Sequence, residues 1–432
     1  MALARRPMYA ISSTLLCAAL ISGCGGVDGP PDEPGTPVRL SFCAGEAPIW
    51  LAVQDGDAAW ARIYPRIEGF YEARFTANRG GIAYVTNSGA SLFVAYGNLT
   101  ELASISCGTG FNILNGNVAG LASAEGSDIW YGQASVSVDA PNPRFQFRNA
   151  ADGQQDLFTT RFTWSSGGGQ IANRLVVRRA QTLTSGSRIP PIDFASTESF
   201  APAFATASVT GADQAAEVFL NSRWHGRGSA ALLMFGPAPR PLLYPAVPLD
   251  RLGPGEFSSL EADTRDQAGG RSARTYFRAP GDRVIAVGPS LNAPVVTWPD
   301  LPPGMHPRLQ LQSQPEYARV ASITYYQGFD YVHVAMTSAY LGGTPATWDI
   351  VVPDLSAADG WNDAWGLGAV PAINWTVAAE GGTDLSLGDT AQDGDVVMGA
   401  YLDGGEGISA YRATGRPEPL RGGFPVPPRR EK

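Results

Sequence analysis

At 432 residues the chain exceeds one ordinary domain, so two to four folding units are expected. Its formal net charge of −9, from 31 Lys and Arg against 40 Asp and Glu, argues against nucleic acid as a partner, because such binding rests on basic phosphate contacts. Charged residues make up only 16%, whereas Gly and Pro number 51 and 34; that balance suits short strands joined by turns and disfavours long, charge-paired surface helices.

In chain order, Arg5 and Arg6 precede an apolar run from Met8 to Leu20 and the tetrapeptide Ile21-Ser22-Gly23-Cys24. A basic start, an apolar middle and a small-residue end describe an export signal. The run is shorter than the roughly 20 residues a membrane-spanning helix needs. The tetrapeptide resembles the lipobox of bacterial lipoproteins, with Ile21 in place of the usual Leu. That resemblance covers the first 24 residues. It implies cleavage after residue 23, acylation of Cys24 by chains such as palmitate, and a lipid bilayer as partner through those chains. Gly25 rather than Asp after the cysteine leans towards the outer membrane, with the body at its periplasmic or surface face. An ordinary cleaved signal with a coincidental cysteine is the alternative.

Residues 24–37, rich in Gly and Pro, cannot bury an apolar face and read as a flexible linker. A first module is expected over 38–110. Its strands are 49–53, 60–64, 69–75, 81–86 and 90–96, separated by turn residues such as Asp55-Gly56-Asp57 and Gly80-Gly81. Tight loops between successive strands imply an antiparallel meander. Asn98 and Glu101 form a capping-box pattern that predicts a short helix. With Cys17 in the leader and Cys24 assigned to lipid, Cys43 and Cys107 remain as a candidate disulfide in an oxidising compartment. Such a bridge would add roughly 4 kcal/mol on the chain-entropy model.

A second module is expected over 111–200, where Ala134 to Val138 and Arg144 to Phe147 alternate at period two. Gly116-x-Val118-x-Gly120, the Phe145-x-Phe147 strand and the Asp152-Gly153 turn resemble the carboxypeptidase-regulatory, transthyretin-like β-sandwich. This resemblance spans about 60 residues and implies a non-catalytic accessory fold. Strand-like segments continue through a third module at 201–304 and a fourth at 305–415, divided at the proline-rich stretch 299–307. The clearest hairpin pairs 317–326 with 331–337 through Gln327-Gly328-Phe329-Asp330. Residues 416–432 read as a disordered tail. The fold class is therefore all-β, with tandem antiparallel sandwiches. A β-propeller is the alternative, although no fixed period marks its blades.

The sequence carries no G-x-S-x-G elbow, HExxH helix or Walker loop, so no catalytic residue is assigned. His225, His306 and His333 lack metal-ligand spacing and read as hydrogen-bonded or solvated. Asp389, Asp393 and Asp395 are close enough to offer a Ca2+ ion converging oxygens, but the EF-hand pattern is not met and Asp-Gly makes hairpin turns without any ion. Tyr326, Trp361 and Trp365 are candidate ligand-stacking rings; core filling is the other reading. The expected function is a membrane-anchored envelope lipoprotein that binds or scaffolds a glycan or protein partner without catalysis. The alternative binds or hydrolyses surface polysaccharide with paired carboxylates.

Overall fold

A computed structural model gives the fold. It describes residues 35–407 except 43–46, 67–68, 87–90, 104–111, 133, 151–152, 165–168, 213–216, 227–228, 238–240, 267–268, 299–304, 328–329, 369–371 and 384–391. Cys24, Cys43, Cys107, Asp389 and the 416–432 tail lie outside the described residues.

The chain is all-β, and its strands fall into four successive groups. The first holds β1 (Thr36–Ser41), β2 (Trp50–Asp55), β3 (Ala61–Arg62), β4 (Phe70–Phe75), β5 (Arg79–Val85) and β6 (Ser91–Asn98), followed by α1 (Leu99–Ala103). The second holds β7 (Asn112–Ala119), β8 (Glu125–Tyr131), β9 (Ala134–Asp139), β10 (Arg144–Ala150), β11 (Gln154–Trp164), β12 (Gln170–Thr182) and β13 (Ile192–Asp193). The third holds β14 (Ala203–Thr210), β15 (Glu217–Gly226), β16 (Ser229–Pro237), β17 (Leu242–Ala246), β18 (Phe257–Asp266), β19 (Gly269–Phe277) and β20 (Arg283–Ala286). The fourth holds β21 (Val295–Thr297), β22 (Arg308–Gln312), β23 (Val320–Gln327), β24 (Asp330–Thr337), β25 (Thr347–Val351), β26 (Ala372–Gly382) and β27 (Val396–Gly407).

One order recurs in all four groups. Two hairpins join side by side into a four-stranded layer: β6-β5-β2-β3, β12-β11-β8-β9, β19-β18-β15-β16 and β27-β26-β23-β24. Smaller sheets, β4-β1, β10-β7-β13, β17-β14-β20 and β25-β22-β21, complete the modules. Each is thus a two-layer sandwich, the arrangement that buries one face of an alternating strand. Strand β24 shows the pattern, burying Val332, Val334 and Met336 while Tyr331, His333 and Ala335 face the other way.

The four-stranded layers also pair with each other. Strand β24 runs parallel to β6, β27 antiparallel to β19, and β16 meets β12 over two residue pairs. The described strands therefore include one sheet of sixteen, ordered module one, four, three, two, with β3 and β9 at its ends. Its open order differs from the separate radial blades of a propeller.

Local chemistry explains several elements. Asn98 Oδ1 accepts from the Glu101 N–H and Glu101 Oε2 accepts from the Asn98 N–H, each at 2.9 Å, which completes the expected capping box. Gly116 lies opposite Phe145, and a Cβ there would stand 2.2 Å from the Phe145 ring. Gly120 takes φ +77°, a conformation costly for other residues.

Other expectations shift. Residues 36–41, of which 36 and 37 fell in the expected linker and 38–41 ahead of the first expected strand, form β1 against β4, with Thr36 opposite Phe75. The strand expected over 60–64 shortens to Ala61–Arg62, ahead of Pro65. Val295–Thr297, placed by the sequence in the third module, pairs with β22 and so shares a sheet with the fourth.

Module four reaches furthest. Its core joins Ile323, Val334 and Trp348 to Trp50, Ala83, Leu92 and Val94 of module one. Module one packs its own β1–β4 sheet on the opposite face, where Leu40, Leu51, Phe75 and Ile82 meet. Its four-stranded layer is consequently buried on both sides. A further apolar cluster, with Phe158 stacked on Trp224 at 4.5 Å, joins modules two and three.

Candidate functional site

In modules three and four the sixteen-stranded sheet presents to the hydrophobic clusters only one set of alternating residues. Leu260, Ala262 and Ala273 face the core of module three. The intervening residues form a polar grid on the opposite face. Asn221, Glu261 and Arg274 lie in one cross-strand row, Arg223, Ser259 and Tyr276 in the next, and His225 and Phe257 in a third. Asp263 follows Glu261 by two positions on β18 and so shares its face.

The grid is half-buried, and its charges feel that burial. Burial first, and then the neighbouring Glu261 charge, raise the Asp263 carboxyl to about 7. Glu261 instead accepts from Arg274 Nη2 at 2.8 Å. Burial and the adjacent Arg274 charge lower the Arg223 guanidinium from its ordinary value. Burial, with Arg274 and Arg223, depresses His225 to about 3, so its ring is neutral at physiological pH. That ring shares a hydrogen bond with Ser259 Oγ at 2.8 Å and stacks on Phe257 at 4.6 Å.

Satisfaction on this face is incomplete. Arg223 uses Nε on Asn221 Oδ1, and among the described residues nothing meets its terminal Nη groups. Asp263 has no hydrogen-bond partner among the described residues. Both are half-buried and interact electrostatically with each other and with Glu261 and Arg274, so this part of the face presents charged donors and acceptors to another molecule.

The face continues into module four. Arg265 Nη2 donates to Asp403 Oδ2 at 3.1 Å, and Asp403 Oδ1 accepts from Thr376 Oγ1 at 2.7 Å. Thr324 Oγ1 then meets His333 Nδ1 at 2.9 Å. Burial depresses His333 to about 4. Beyond it the surface turns aromatic. Tyr326 and Tyr331 pair at 6.4 Å, and Phe93 of module one stacks on Tyr84 at 5.0 Å. The result is a stripe of hydroxyls, carboxylates, guanidiniums and rings across three modules.

The three candidate rings do not converge. Tyr326 lies on this polar stripe, two positions from Thr324 and opposite Tyr331. Trp361 and Trp365 lie in the β25–β26 connection on the other side of the sheet, half-buried against the module-four core. Trp361 packs edge-on to Trp50 at 5.0 Å and to Trp365 at 5.7 Å. Between them lies a 3-10 turn, Asp363–Trp365, with the Asn362 side chain accepting from Ala364 N–H.

Trp361 also borders a cleft of about 250 Å³, lined in addition by Leu92, Met305, His306, Asp354, Asp363 and Leu367. Trp361 Nε1 donates to Asp363 Oδ1 at 3.0 Å, and Asp354 Oδ1 accepts from Ser356 N–H at 2.9 Å. His306 Nε2 stands 3.8 Å from Asp354.

Of the acidic segment considered for calcium, Asp393 lies 3.9 Å from Arg283 and Asp395 accepts from Gln392 N–H at 2.6 Å. Gly394 N–H donates to the Tyr276 carbonyl, so the described part of the segment is a turn closing against β19. No three metal-ligating side chains gather among the described residues. Sequence reasoning missed the grid because Asn221, Glu261 and Arg274 come from three strands; only the alternation of 257–263 hinted at it. No protein-family model matches this chain, and no curated protein matches it either.

Proposed function

We propose that the chain is an exported, lipid-tethered binding protein whose polar stripe holds an envelope glycan. One observation carries the reading: the half-buried charged groups Arg223 and Asp263 stand on the same sheet face as the Tyr326 ring. Sugars supply hydroxyls that donate to carboxylates and accept from guanidiniums, and C–H faces that stack on rings. The shared sheet keeps these groups at fixed spacing, which lowers the ordering cost of binding. Acyl chains on Cys24 would hold the body at the outer membrane, and residues 25–34 would give it reach.

The test has two arms. Cys24→Ser should move the full chain from the membrane fraction to the soluble fraction; retention with membranes would refute the tether. Screening the released protein against envelope polysaccharides should find binding that Arg223→Gln and Tyr326→Ala each weaken by about tenfold. Binding unchanged by both would place the ligand elsewhere.

A second reading, polysaccharide hydrolysis, is supported by the carboxylate pair on β18. Glu261 is ion-paired with Arg274, while Asp263 is raised to about 7, a division suited to an ionised base and a protonated acid. Release of new reducing ends, lost in Asp263→Asn while binding persists, would establish it.

A further inference from the structure

Strand edges are where this protein joins its modules. β24 pairs with β6, β16 pairs with β12, and the equivalent strands β27 and β19 pair antiparallel with each other. Strand β9 holds the place in its layer that β16 and β24 hold in theirs, yet among the described residues only β8 pairs with it.

The two ends of the sixteen-stranded sheet differ. β3 is two residues long, lies just ahead of Pro65 and carries Arg62, 4.0 Å from Asp359. β9 runs six residues, Ala134–Asp139, in unbroken register with β8; it holds no lysine, arginine or proline, and its one charge is its last residue. Exposed edges are ordinarily protected by charge, proline, a bulge or brevity, because their N–H and C=O groups template further pairing. The smaller sheets follow that rule. Their outer strands β1, β4, β10, β20 and β25 carry Arg39, Arg74, Arg148, Arg283 and Asp349, β17 contains Pro245, and β13 and β21 are two and three residues long.

Tyr131 and Ala134 pair across a two-residue loop, so antiparallel alternation turns the backbone N–H and C=O of Ser135 and Ser137 away from β8. Among the described residues no backbone hydrogen bond reaches those groups.

We infer that β9 is a self-association edge, pairing antiparallel with β9 of a second copy of this chain. In the two-fold register that sets Val136 opposite Val136, Ser135 of each copy exchanges both backbone hydrogen bonds with Ser137 of the other. The two Asp139 carboxylates then fall at opposite ends of the paired stretch. The β27–β19 contact is the same kind of join, made between equivalent strands within one chain. In a second copy β6 and β12 already have neighbours on both sides and β3 is two residues long, which leaves β9 as the sheet end of matching length. So short a strand pair is a small interface, and the dimer is reversible. The polar stripe and its ligand play no part in this assignment.

Sedimentation velocity on the full chain carrying Cys24→Ser should show the mass doubling between about 1 and 200 μM. Ser135→Pro removes an outward N–H, a change that an edge strand tolerates, and Ser135→Lys adds a charge while leaving the backbone intact. With circular dichroism unchanged, each should weaken the dimer by at least about tenfold. A monomer at the highest concentration, or a dimer undiminished by both variants, would overturn the assignment. Hydrogen exchange gives a readout without any change to β9: amides in 134–139 should exchange more slowly in the concentrated sample. Equal exchange at both concentrations would overturn it whatever the variants do.

Discussion

Trp50 donates its indole N–H to the backbone carbonyl of Asp359 at 3.0 Å, joining residues 309 positions apart. This bond fastens the second strand of module one to the β25–β26 connection of module four. Tyr64 Oη reinforces it by donating to Asp359 Oδ2 at 2.7 Å. Around it the Trp50, Trp361 and Trp365 rings meet edge-on or tilted. First and last modules are thereby held as neighbours although two modules separate them in sequence.

Trp50→Phe should therefore lower stability by about 1–3 kcal/mol, from the lost hydrogen bond and a smaller ring. Trp50→Ala should cost about 3–5 kcal/mol. Urea denaturation followed by tryptophan fluorescence measures both. A loss below about 0.5 kcal/mol for the alanine variant would show that this contact does not hold the modules together.

Glu256 fastens modules two and three. It is 4% exposed and accepts from Arg179, from Gly253 N–H at 2.9 Å and from Trp224 Nε1 at 3.2 Å. Burial pushes its carboxyl up, but Arg179 and these donors bring it below the ordinary value. Glu256→Ala leaves three donors without their acceptor and should cost about 3–5 kcal/mol. Equilibrium unfolding near neutral pH gives the value. A group with a depressed folded-state pKa contributes stability above its unfolded pKa and loses it on acidification, so the penalty should shrink as the pH falls below 4.5.

Gly116 accommodates the Phe145 ring. Gly116→Ala would put a Cβ 2.2 Å from that ring and should destabilise by about 1–3 kcal/mol through overpacking. Pairing it with Phe145→Leu should recover part of the loss. A glycine acting only through backbone freedom would show no such recovery in thermal denaturation.

The polar grid predicts opposing pH effects. Asp263, raised to about 7 from 3.8, keeps its proton longer in the folded chain; its contribution is fully present below 3.8 and lost as the pH rises through about 7. Asp263→Asn should therefore stabilise the protein at about pH 8 and make little difference at about pH 4. His333 is depressed from 6.5 to about 4, so its contribution is present above 6.5 and lost as the pH falls through about 4. His333→Gln should flatten that acid-side loss. Chemical denaturation across pH, wild type against each variant, reads both slopes.

Much was legible in one dimension. Strand alternation, Asp-Gly turns and the Asn98–Glu101 box depend on neighbours within a few residues, and the all-β class followed from them. The fourfold sandwich order left no sequence period, because the equivalent strands β2, β8, β15 and β23 begin at the unequally spaced positions 50, 125, 217 and 320. Core shape constrains the strands while loop lengths drift, so the repeat lives in topology.

The sequence by itself determined that this is an acidic, strand-built protein with turns where its hairpins close, since those properties reside in composition and local backbone preference. Tertiary structure alone decided that Tyr326 faces the polar stripe while Trp361 and Trp365 back onto module one. It alone set Glu261 beside Arg274 and placed Asp263 where burial and the Glu261 charge raise its carboxyl. Strand pairing supplies these neighbours, and register is fixed by which face must be buried. The chemistry of each side chain was written in the chain; its surroundings were set by strands folded from far along it.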